Sequence, residues 1–223
     1  MTDRDAALQA RIVRLIHDRR LGPGEPLPTE PQLVDLLGAS RNSVREAVRA
    51  LRALGIVEIR RGLGMFVGEA PLRVFTPSLS FRIRAGEGGD VGSLRDLVEV
   101  RELLEVGLIG QVAGTLSTAR LAALDALVRR MGEDPEADRS FHALLYESAG
   151  NALVLQLIQL FWDVYHDVEQ TLGPPEDRAA EIEANHDRIV AALRARDAAA
   201  AQAAMRRHFT DVKARISRAV PAP

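Results

Sequence analysis

Apolar residues in the first part of the chain follow the period of short helices that turn-forming residues interrupt. Between positions 4 and 20 they lie on one helical face: Ala7, Leu8, Ile12, Leu15 and Ile16. This spacing predicts an amphipathic helix. The segment LGPGEPLPTE, with two glycines and three prolines, ends that helix. Thr29 then begins a short second helix, and Gly38 ends it.

A third helix and two short strands follow. Ser40 is a preferred N-cap residue for a helix over 41–54. The apolar positions of this helix share one face: Val44, Val48, Leu51 and Leu54. The segment IVEIRRGLGMFVG predicts two strands, 56–60 and 64–68, around a turn that contains glycine. Helices followed by such a hairpin predict a winged helix-turn-helix over residues 1–69.

The pattern changes after the hairpin. Residues 70–92 mix proline, glycine and serine with few apolar positions, so we predict a linker with one short helix at 77–84. Residues 93–218 have a helical pattern throughout, in six segments: 93–115, 117–131, 135–149, 151–172, 177–195 and 197–218. Asp177 and Asp197 are suited to cap the last two helices. The predicted fold is mainly α, with an N-terminal winged helix-turn-helix and a C-terminal all-helical bundle.

Composition narrows the class of protein. Hydrophobic residues make up 47% of the 223 positions and charged residues 27%, as in ordinary globular proteins. The chain has no cysteine, which excludes a disulfide framework and thiolate chemistry. No apolar run is long enough to cross a bilayer, and the start MTDRDAALQA lacks the apolar segment of a secretory signal. We therefore expect a cytoplasmic protein.

The overall charge of −2 conceals an uneven distribution. Residues 1–70 carry 11 arginines and 9 acidic residues, whereas the remaining residues carry 18 basic and 22 acidic residues. Within 41–61 there are six arginines against two glutamates. Because screening limits exposed charges to a range of about 8–10 Å, a phosphate backbone responds to this local charge and not to the average.

The basic segment coincides with the helix that enters the major groove in a winged helix-turn-helix. Arginine can donate two hydrogen bonds to guanine, and glycine in the wing turn permits close approach to DNA. The expected contacts come from the start of this helix and from the wing: Ser40, Arg41, Ser43, Arg45, Arg61 and Gly62. The alternative is an amphipathic helix whose arginines face only water. The position of these arginines after a three-residue turn, with a wing behind them, favours DNA.

A family resemblance supports this interpretation. The segment PGEPLPTEPQLVDLLGASRNSVREAVRALRALGIVEIRRGLGMFV resembles the DNA-binding domain of the GntR family of bacterial transcription regulators. The resemblance implies that Arg41 and Arg45 are the main contacts of the recognition helix and that Gly62 is at the wing tip. One position departs from the family pattern. Pro31 occupies the place of an arginine that usually contacts DNA, so that contact is missing here.

Four residues in the C-terminal half have the spacing of a metal site. Asp138 and His142 are four residues apart and therefore share a helical face. His186 and His208 lie at equal distances from the turn at Asp197, so an antiparallel helical hairpin places them at one level. A carboxylate and three imidazoles suit a divalent transition metal such as zinc, nickel or manganese. The alternative is three unrelated histidines on helices.

The same half resembles the FCD effector domain of the FadR subfamily. The resemblance is carried by DRSFHALLYESAGNAL, by a later H-x-x-I-V-x-A-L-x-x-x-D pattern and by a final histidine. It implies that Asp138, His142, His186 and His208 bind a metal, since all four matching positions are filled. The segment before Asp138 is about ten residues shorter than is usual in this family.

Two residues are candidates for binding an effector. The segment VRELLE matches a motif whose arginine often meets an effector carboxylate in this family, which implies that role for Arg101. The alternative is an ion pair with Glu105 within one helix, worth about 0.3–0.5 kcal/mol. Asn151 is a candidate for lining the same cavity, and helix capping is its alternative role.

These observations predict a metabolite-responsive bacterial transcription regulator. Its expected partners are a palindromic DNA operator, a small organic acid bound beside the metal, and a second copy of the chain in a homodimer. The main alternative is a metal-dependent enzyme with an appended DNA-binding domain. Against the enzyme, the sequence shows no dedicated general base near the metal residues. Glu147 and Glu183 are only candidates for that role. An architectural DNA binder is disfavoured by the acidic character of the larger half.

Overall fold

The structure is a computed structural model that describes residues 3–85, 91–169 and 179–218. The chain divides into two compact units, Met1–Val74 and Phe75–Pro223. The predicted helix cap at Asp177 lies outside the described residues.

The first unit contains three helices and a two-stranded antiparallel sheet. Its elements are α1 (Asp3–Asp18), α2 (Glu30–Leu37), α3 (Arg41–Ala53), β1 (Val57–Arg60) and β2 (Gly64–Val67), followed by a 3₁₀ helix (Leu72–Phe75) that reaches the boundary between the units. Both α1 and α2 pack against α3, and β1 pairs with β2 from Val57 opposite Val67 to Arg60 opposite Gly64. One apolar core joins these elements: Leu8, Ile12, Leu33, Val44, Val48, Leu51 and Val57. This is the predicted winged helix-turn-helix.

Local signals in the sequence explain the ends of α2 and α3. Gly38 ends α2 with a φ of 56°, a conformation that favours glycine. The side chain of Ser40 accepts a hydrogen bond from the backbone N–H of Ser43 at 3.1 Å and so caps α3. Pro31 lies in the first turn of α2, where a missing backbone N–H costs nothing.

The second unit is all-helical in its described residues. Its helices are α4 (Thr76–Arg84), α5 (Val91–Val112), α6 (Thr118–Val128), α7 (Pro135–Glu147), α8 (Ala152–Glu169), α9 (Ala179–Arg194) and α10 (Ala198–Arg218). Helix α10 packs against α5 and α9, whereas α7 packs against α5, α6 and α8. The side chains most completely buried between them are mainly apolar: Leu94, Ile109, Leu124, Phe141, Leu145, Tyr146, Ile158, Ile189 and Phe209.

The predicted mainly α fold with a small hairpin is confirmed. The short helix expected at 77–84 is α4, which packs against α5 and α8 in the second unit. Asp197 caps α10, because its Oδ1 atom accepts a hydrogen bond from the backbone N–H of Ala200 at 2.9 Å. Among the described residues, none of the helices is both long enough and apolar enough to cross a membrane.

Candidate functional site

Three histidines from three helices meet in the interior of the second unit. His142 comes from α7, His186 from α9 and His208 from α10. Each offers a ring nitrogen, and these nitrogens all lie within 4.8 Å of one another. His142 and His186 have no exposed surface, and His208 is 6% exposed. The predicted antiparallel hairpin of α9 and α10 therefore does bring His186 and His208 to one level.

Asp138 completes this cluster from one turn before His142. Its Oδ1 atom is 3.0 Å from His186 Nε2 and 3.4 Å from His142 Nε2. These three atoms are buried, and none of them makes a hydrogen bond of acceptable geometry with the described residues. Buried polar atoms are rarely left without partners. Three nitrogens and one carboxylate oxygen that face each other fit a divalent transition metal, and we call these four residues the Asp–His cluster.

The outer ring nitrogens of two histidines are held in place. His186 Nδ1 donates to the backbone carbonyl of Ile182 at 2.8 Å, one turn earlier in α9. His142 Nδ1 lies 2.5 Å from Glu105 Oε2, which belongs to α5. Because each Nδ1 carries the proton in such a hydrogen bond, each Nε2 is left with its lone pair directed into the cluster. This arrangement suits metal binding through Nε2.

Glu105 is a fully buried carboxylate with partners on both oxygens. Its Oε1 atom accepts a hydrogen bond from Arg101 Nε at 2.5 Å, and its Oε2 atom contacts His142. The hydroxyl group of Tyr146 donates a hydrogen bond to the backbone carbonyl of Glu105 at 3.0 Å. The sequence indicated only the contact with Arg101. A signal for burial was nevertheless present, because Arg101 and Glu105 share the helical stripe of buried Val98, Ile109 and Val112.

Burial and neighbouring charges together lower the pKa of three of these groups. Burial disfavours the charged form of Glu105, but Arg101 and His142 outweigh it and lower the pKa of that carboxyl. Burial likewise opposes ionisation of Asp138, and His186 and His142 hold its pKa well below the usual range. Burial lowers the pKa of His208 well below its usual value, and repulsion from His186 adds to this effect. His208 is therefore neutral and able to bind a metal.

His142 shifts in the opposite direction. Burial disfavours its protonated form, but the carboxylate of Glu105 outweighs this effect and raises the pKa of the ring. A metal at the cluster competes with that proton.

Arg101 lies beside the cluster and is only 4% exposed. Its guanidinium carbon is 4.3 Å from the ring centre of Trp162 and 5.3 Å from that of Phe209. The ion pair with Glu105, which was the alternative role for Arg101, is present. Arg101 Nη2 and Trp162 Nε1 are nevertheless buried without hydrogen-bond partners among the described residues. Arg101 therefore keeps one donor for an anion while its Nε atom is occupied.

A cavity of about 540 Å³ reaches the cluster between α9 and α10. Its lining includes three cluster residues, Asp138, His186 and His208. Charged and polar side chains make up much of the remainder: Glu181, Asn185, Arg188, Arg207 and Asp211. A small polar molecule in this cavity would be in contact with the Asp–His cluster.

Asn151 has a different position. It is exposed, and its side-chain oxygen accepts a hydrogen bond from the backbone N–H of Val154 at 3.2 Å, so it caps α8. It is not among the lining residues of the cavity. Arg101, the other residue expected to bind an effector, is not among the lining residues either.

The candidate DNA surface in the first unit begins at the N-terminus of α3. Arg41 and Arg45 are exposed one turn apart, and Arg45 Nε lies 3.6 Å from Glu30 Oε2. Ser40 and Ser43 contact each other through their hydroxyl groups at 2.9 Å. These four predicted residues share one exposed end of the helix.

The wing continues the candidate DNA surface of the first unit. Arg60 is held by two hydrogen bonds to Glu58 and lies over the ring of Phe66, whereas Arg61 is exposed. Gly62 has a φ of 77°, which favours glycine at the turn. Leu63 at the tip is 75% exposed, an apolar position that the sequence interpretation had not included.

Two family models match the chain. Residues 5–67 match the gntR family of bacterial regulatory proteins, and residues 96–211 match the FCD domain. The regulator LutR of Bacillus subtilis is 28% identical over 211 residues, which are 89% of this chain and 94% of the relative. A putative L-lactate dehydrogenase operon regulatory protein of Escherichia coli is 28% identical over 219 residues, covering 93% of this chain and 84% of the relative.

A solved structure has a similar fold. The GntR protein of Streptococcus agalactiae matches with a TM-score of 0.63 and 25% identity, over 94% of this chain and 99% of that chain. This structure and the two relatives each match the chain over both of its units.

Proposed function

The chain belongs to the GntR family of bacterial regulatory proteins and carries an FCD domain, and on this premise we propose that it responds to a small carboxylate bound beside a divalent metal. It is a DNA-binding transcription regulator, and its families and relatives are regulators, not enzymes. We propose a DNA-binding domain at 1–69, a linker at 70–92 and an effector domain at 93–218; in this division the linker includes α4, which packs against the effector domain.

The observation that carries the metal proposal is the set of unpartnered atoms in the Asp–His cluster. Leaving a buried polar atom without a partner costs about 1–3 kcal/mol, so three such atoms around one point are expensive in the absence of a ligand. A metal held by Asp138, His142, His186 and His208 satisfies them together. Bound there, the metal supplies a positive charge in a buried site and attracts an anionic group.

Arg101 supports a carboxylate as the effector. A carboxylate accepts two parallel hydrogen bonds from a guanidinium group, and Arg101 Nη2 is a buried donor without a partner among the described residues. The cavity of about 540 Å³ is of the size of small-molecule sites. One relative is named for the operon of L-lactate dehydrogenase, an enzyme whose substrate is a small carboxylate.

We further propose that the protein acts as a homodimer on a palindromic operator in the cytoplasm. One winged helix covers few base pairs, and helix-turn-helix proteins usually gain specificity by pairing two half-sites. The contacts proposed for DNA are those at the end of α3 and in the wing: Ser40, Arg41, Ser43, Arg45, Arg61 and Gly62. Apolar side chains that project from α4 and α5, namely Phe81, Val100 and Leu103, are available for the second copy.

The test compares the purified wild type with the His186→Ala and Arg101→Ala variants. Elemental analysis gives the metal content, and a thermal-shift screen of small carboxylates with and without added Zn²⁺ gives the effector response. We expect His186→Ala to lose the metal and Arg101→Ala to keep the metal but lose the carboxylate response. Full metal occupancy in His186→Ala contradicts the metal site, and an unaltered response in Arg101→Ala contradicts the effector role.

A further inference from the structure

Glu105 is more buried and more fully bonded than an ion pair within one helix requires. It has no exposed surface, and it lies on the stripe of α5 that buries Val98 and Ile109. Placing a carboxylate there carries a large desolvation cost unless each oxygen is satisfied. The pair with Arg101 uses only one oxygen, and the other crosses to α7 and reaches His142.

The contact with His142 determines how that ring faces the Asp–His cluster. Because Glu105 accepts a hydrogen bond from Nδ1–H, the lone pair of Nε2 is directed toward Asp138 and the other histidines. A carboxylate in this position also makes the imidazole a stronger ligand. Removal of such an outer partner typically costs about 10–100-fold in metal affinity.

His186 provides the contrast. Its Nδ1 atom is held by the backbone carbonyl of Ile182 in its own helix, so its orientation is fixed locally. His142 depends instead on a side chain that also contacts Arg101. A continuous set of hydrogen bonds therefore runs from Arg101 Nε through the carboxylate of Glu105 to a ring nitrogen of the cluster.

We infer that Glu105 is a positioning residue that couples anion binding at Arg101 to the metal affinity of the Asp–His cluster. This inference rests on the proposed function. An anion that draws the guanidinium of Arg101 toward itself weakens the hydrogen bond at Oε1. The carboxylate then binds the Nδ1 proton of His142 more strongly, and the ring becomes a better metal ligand. By reciprocity, a bound metal increases the affinity for the anion.

The first experiment measures Zn²⁺ affinity by competition with a chromophoric chelator. Glu105→Gln is compared with Glu102→Gln, a matched change on the same helix whose carboxylate pairs with Lys213 instead. We expect Glu105→Gln to weaken Zn²⁺ binding about 10–100-fold and Glu102→Gln to leave it unchanged. A purely structural role of Glu105 predicts a lower melting temperature with unaltered Zn²⁺ affinity, and that result overturns the inference.

A spectroscopic measurement separates positioning from a general loss of structure. In metal-free protein at a pH above the pKa of His142, long-range ¹H–¹⁵N correlation spectra report which ring nitrogen of His142 carries the proton. We expect Nδ1–H in the wild type and a shift toward Nε2–H in Glu105→Gln. If Glu105→Gln does not fold, Glu105→Asp replaces it in the test. This variant keeps the charge but shortens the side chain, and it should show a smaller loss of Zn²⁺ affinity. Wild-type affinity in a folded Glu105→Asp protein would overturn the inference.

A double-mutant cycle tests the coupling without knowledge of the effector. Arg101→Lys keeps the charge but loses the planar guanidinium, and it should change Zn²⁺ affinity at least about threefold in the wild-type background. In the Glu105→Gln background the same change should have no effect. Equal effects of Arg101→Lys in both backgrounds would show that Arg101 acts on the metal site independently of Glu105, and this result overturns the coupling. If the wild type itself binds no Zn²⁺, the proposed function fails together with this inference.

Discussion

Arg45 of α3 is paired with Glu30 of α2 in the DNA-free protein, with Nε and Oε2 3.6 Å apart. Both side chains are solvent-accessible, at 57% and 37%, so the pair contributes at most about 1 kcal/mol. A phosphate or a guanine base can therefore displace Glu30 at low cost. The ion pair with Glu30 therefore holds Arg45 at the start of α3 without binding it tightly.

Replacement of either of the two arginines proposed to contact DNA, Arg41 and Arg45, should weaken operator binding. We expect Arg41→Ala and Arg45→Ala each to cost about 1–3 kcal/mol if the side chain contacts a base. Both side chains are exposed, so folding should be retained. Fluorescence anisotropy at fixed salt measures the loss, with an operator selected from random DNA by the wild type. Arg129→Ala removes the same charge in the second unit and should bind normally, and a normal Arg45→Ala protein contradicts the assignment.

Glu30→Gln should strengthen DNA binding. The substitution removes the competing carboxylate of Arg45 while preserving the size of the side chain. Because an exposed ion pair contributes at most about 1 kcal/mol, the gain should not exceed about fivefold. The same anisotropy assay gives the ratio of dissociation constants. Weaker binding by Glu30→Gln would show that Glu30 orients Arg45 for DNA and does not compete with it.

Metal binding should stabilise the second unit. At a free Zn²⁺ concentration of about 100 times Kd, the expected gain is about 2.7 kcal/mol, which corresponds to a rise of several degrees in Tm. Differential scanning calorimetry with chelator and then with Zn²⁺ measures the shift. His186→Ala should abolish it, whereas His17→Ala, on α1 of the first unit, should not. A full shift in His186→Ala rules out this cluster as the source.

Opposite pKa shifts predict opposite pH effects for two histidines of the metal-free protein. The folded pKa of His208 lies well below 6.5, so below pH 6.5 the unfolded chain binds a proton that the folded chain does not. His208 therefore destabilises the fold as the pH falls. The folded pKa of His142 lies above 6.5, so its stabilising contribution is complete below pH 6.5 and is lost as the pH rises through the folded pKa.

Urea denaturation in the presence of a chelator at pH 5.5 and pH 7.5 tests this difference. Relative to the wild type, His208→Gln should gain stability on going from pH 7.5 to pH 5.5, and His142→Gln should lose stability. Parallel changes in the two variants would contradict the assignment of opposite shifts.

Dimerisation should depend on the exposed face of α5. Leu103 is 76% exposed, so Leu103→Glu should disrupt a contact with a second copy without unfolding the chain. Sedimentation at micromolar concentration should show a dimer for the wild type and a monomer for Leu103→Glu. Leu153→Glu, at an exposed leucine of α8, is the matched control. A wild-type monomer that binds its operator singly rejects the homodimer.

Most of the fold could be predicted because local signals determine it. The helix before Gly38, the cap at Ser40 and the hairpin around Gly62 each depend on residues close in sequence. That His186 and His208 lie at the same level could be predicted because they are equally far in sequence from the turn at Asp197. The contact of Glu105 with His142 could not be predicted, because it depends on how α5 is rotated against α7.

A metal bound by the Asp–His cluster would favour the folded state over the unfolded chain. Its ligands lie far apart in the sequence, from Asp138 on α7 to His208 on α10. An ion that gathered them in the unfolded chain would have to close long loops, with an entropy cost that grows with loop length. The unfolded chain therefore competes poorly for the metal, and nearly all of the binding free energy favours the folded state. In a chain without cysteine, a metal bound at the proposed site would link helices of the folded state where no disulfide can.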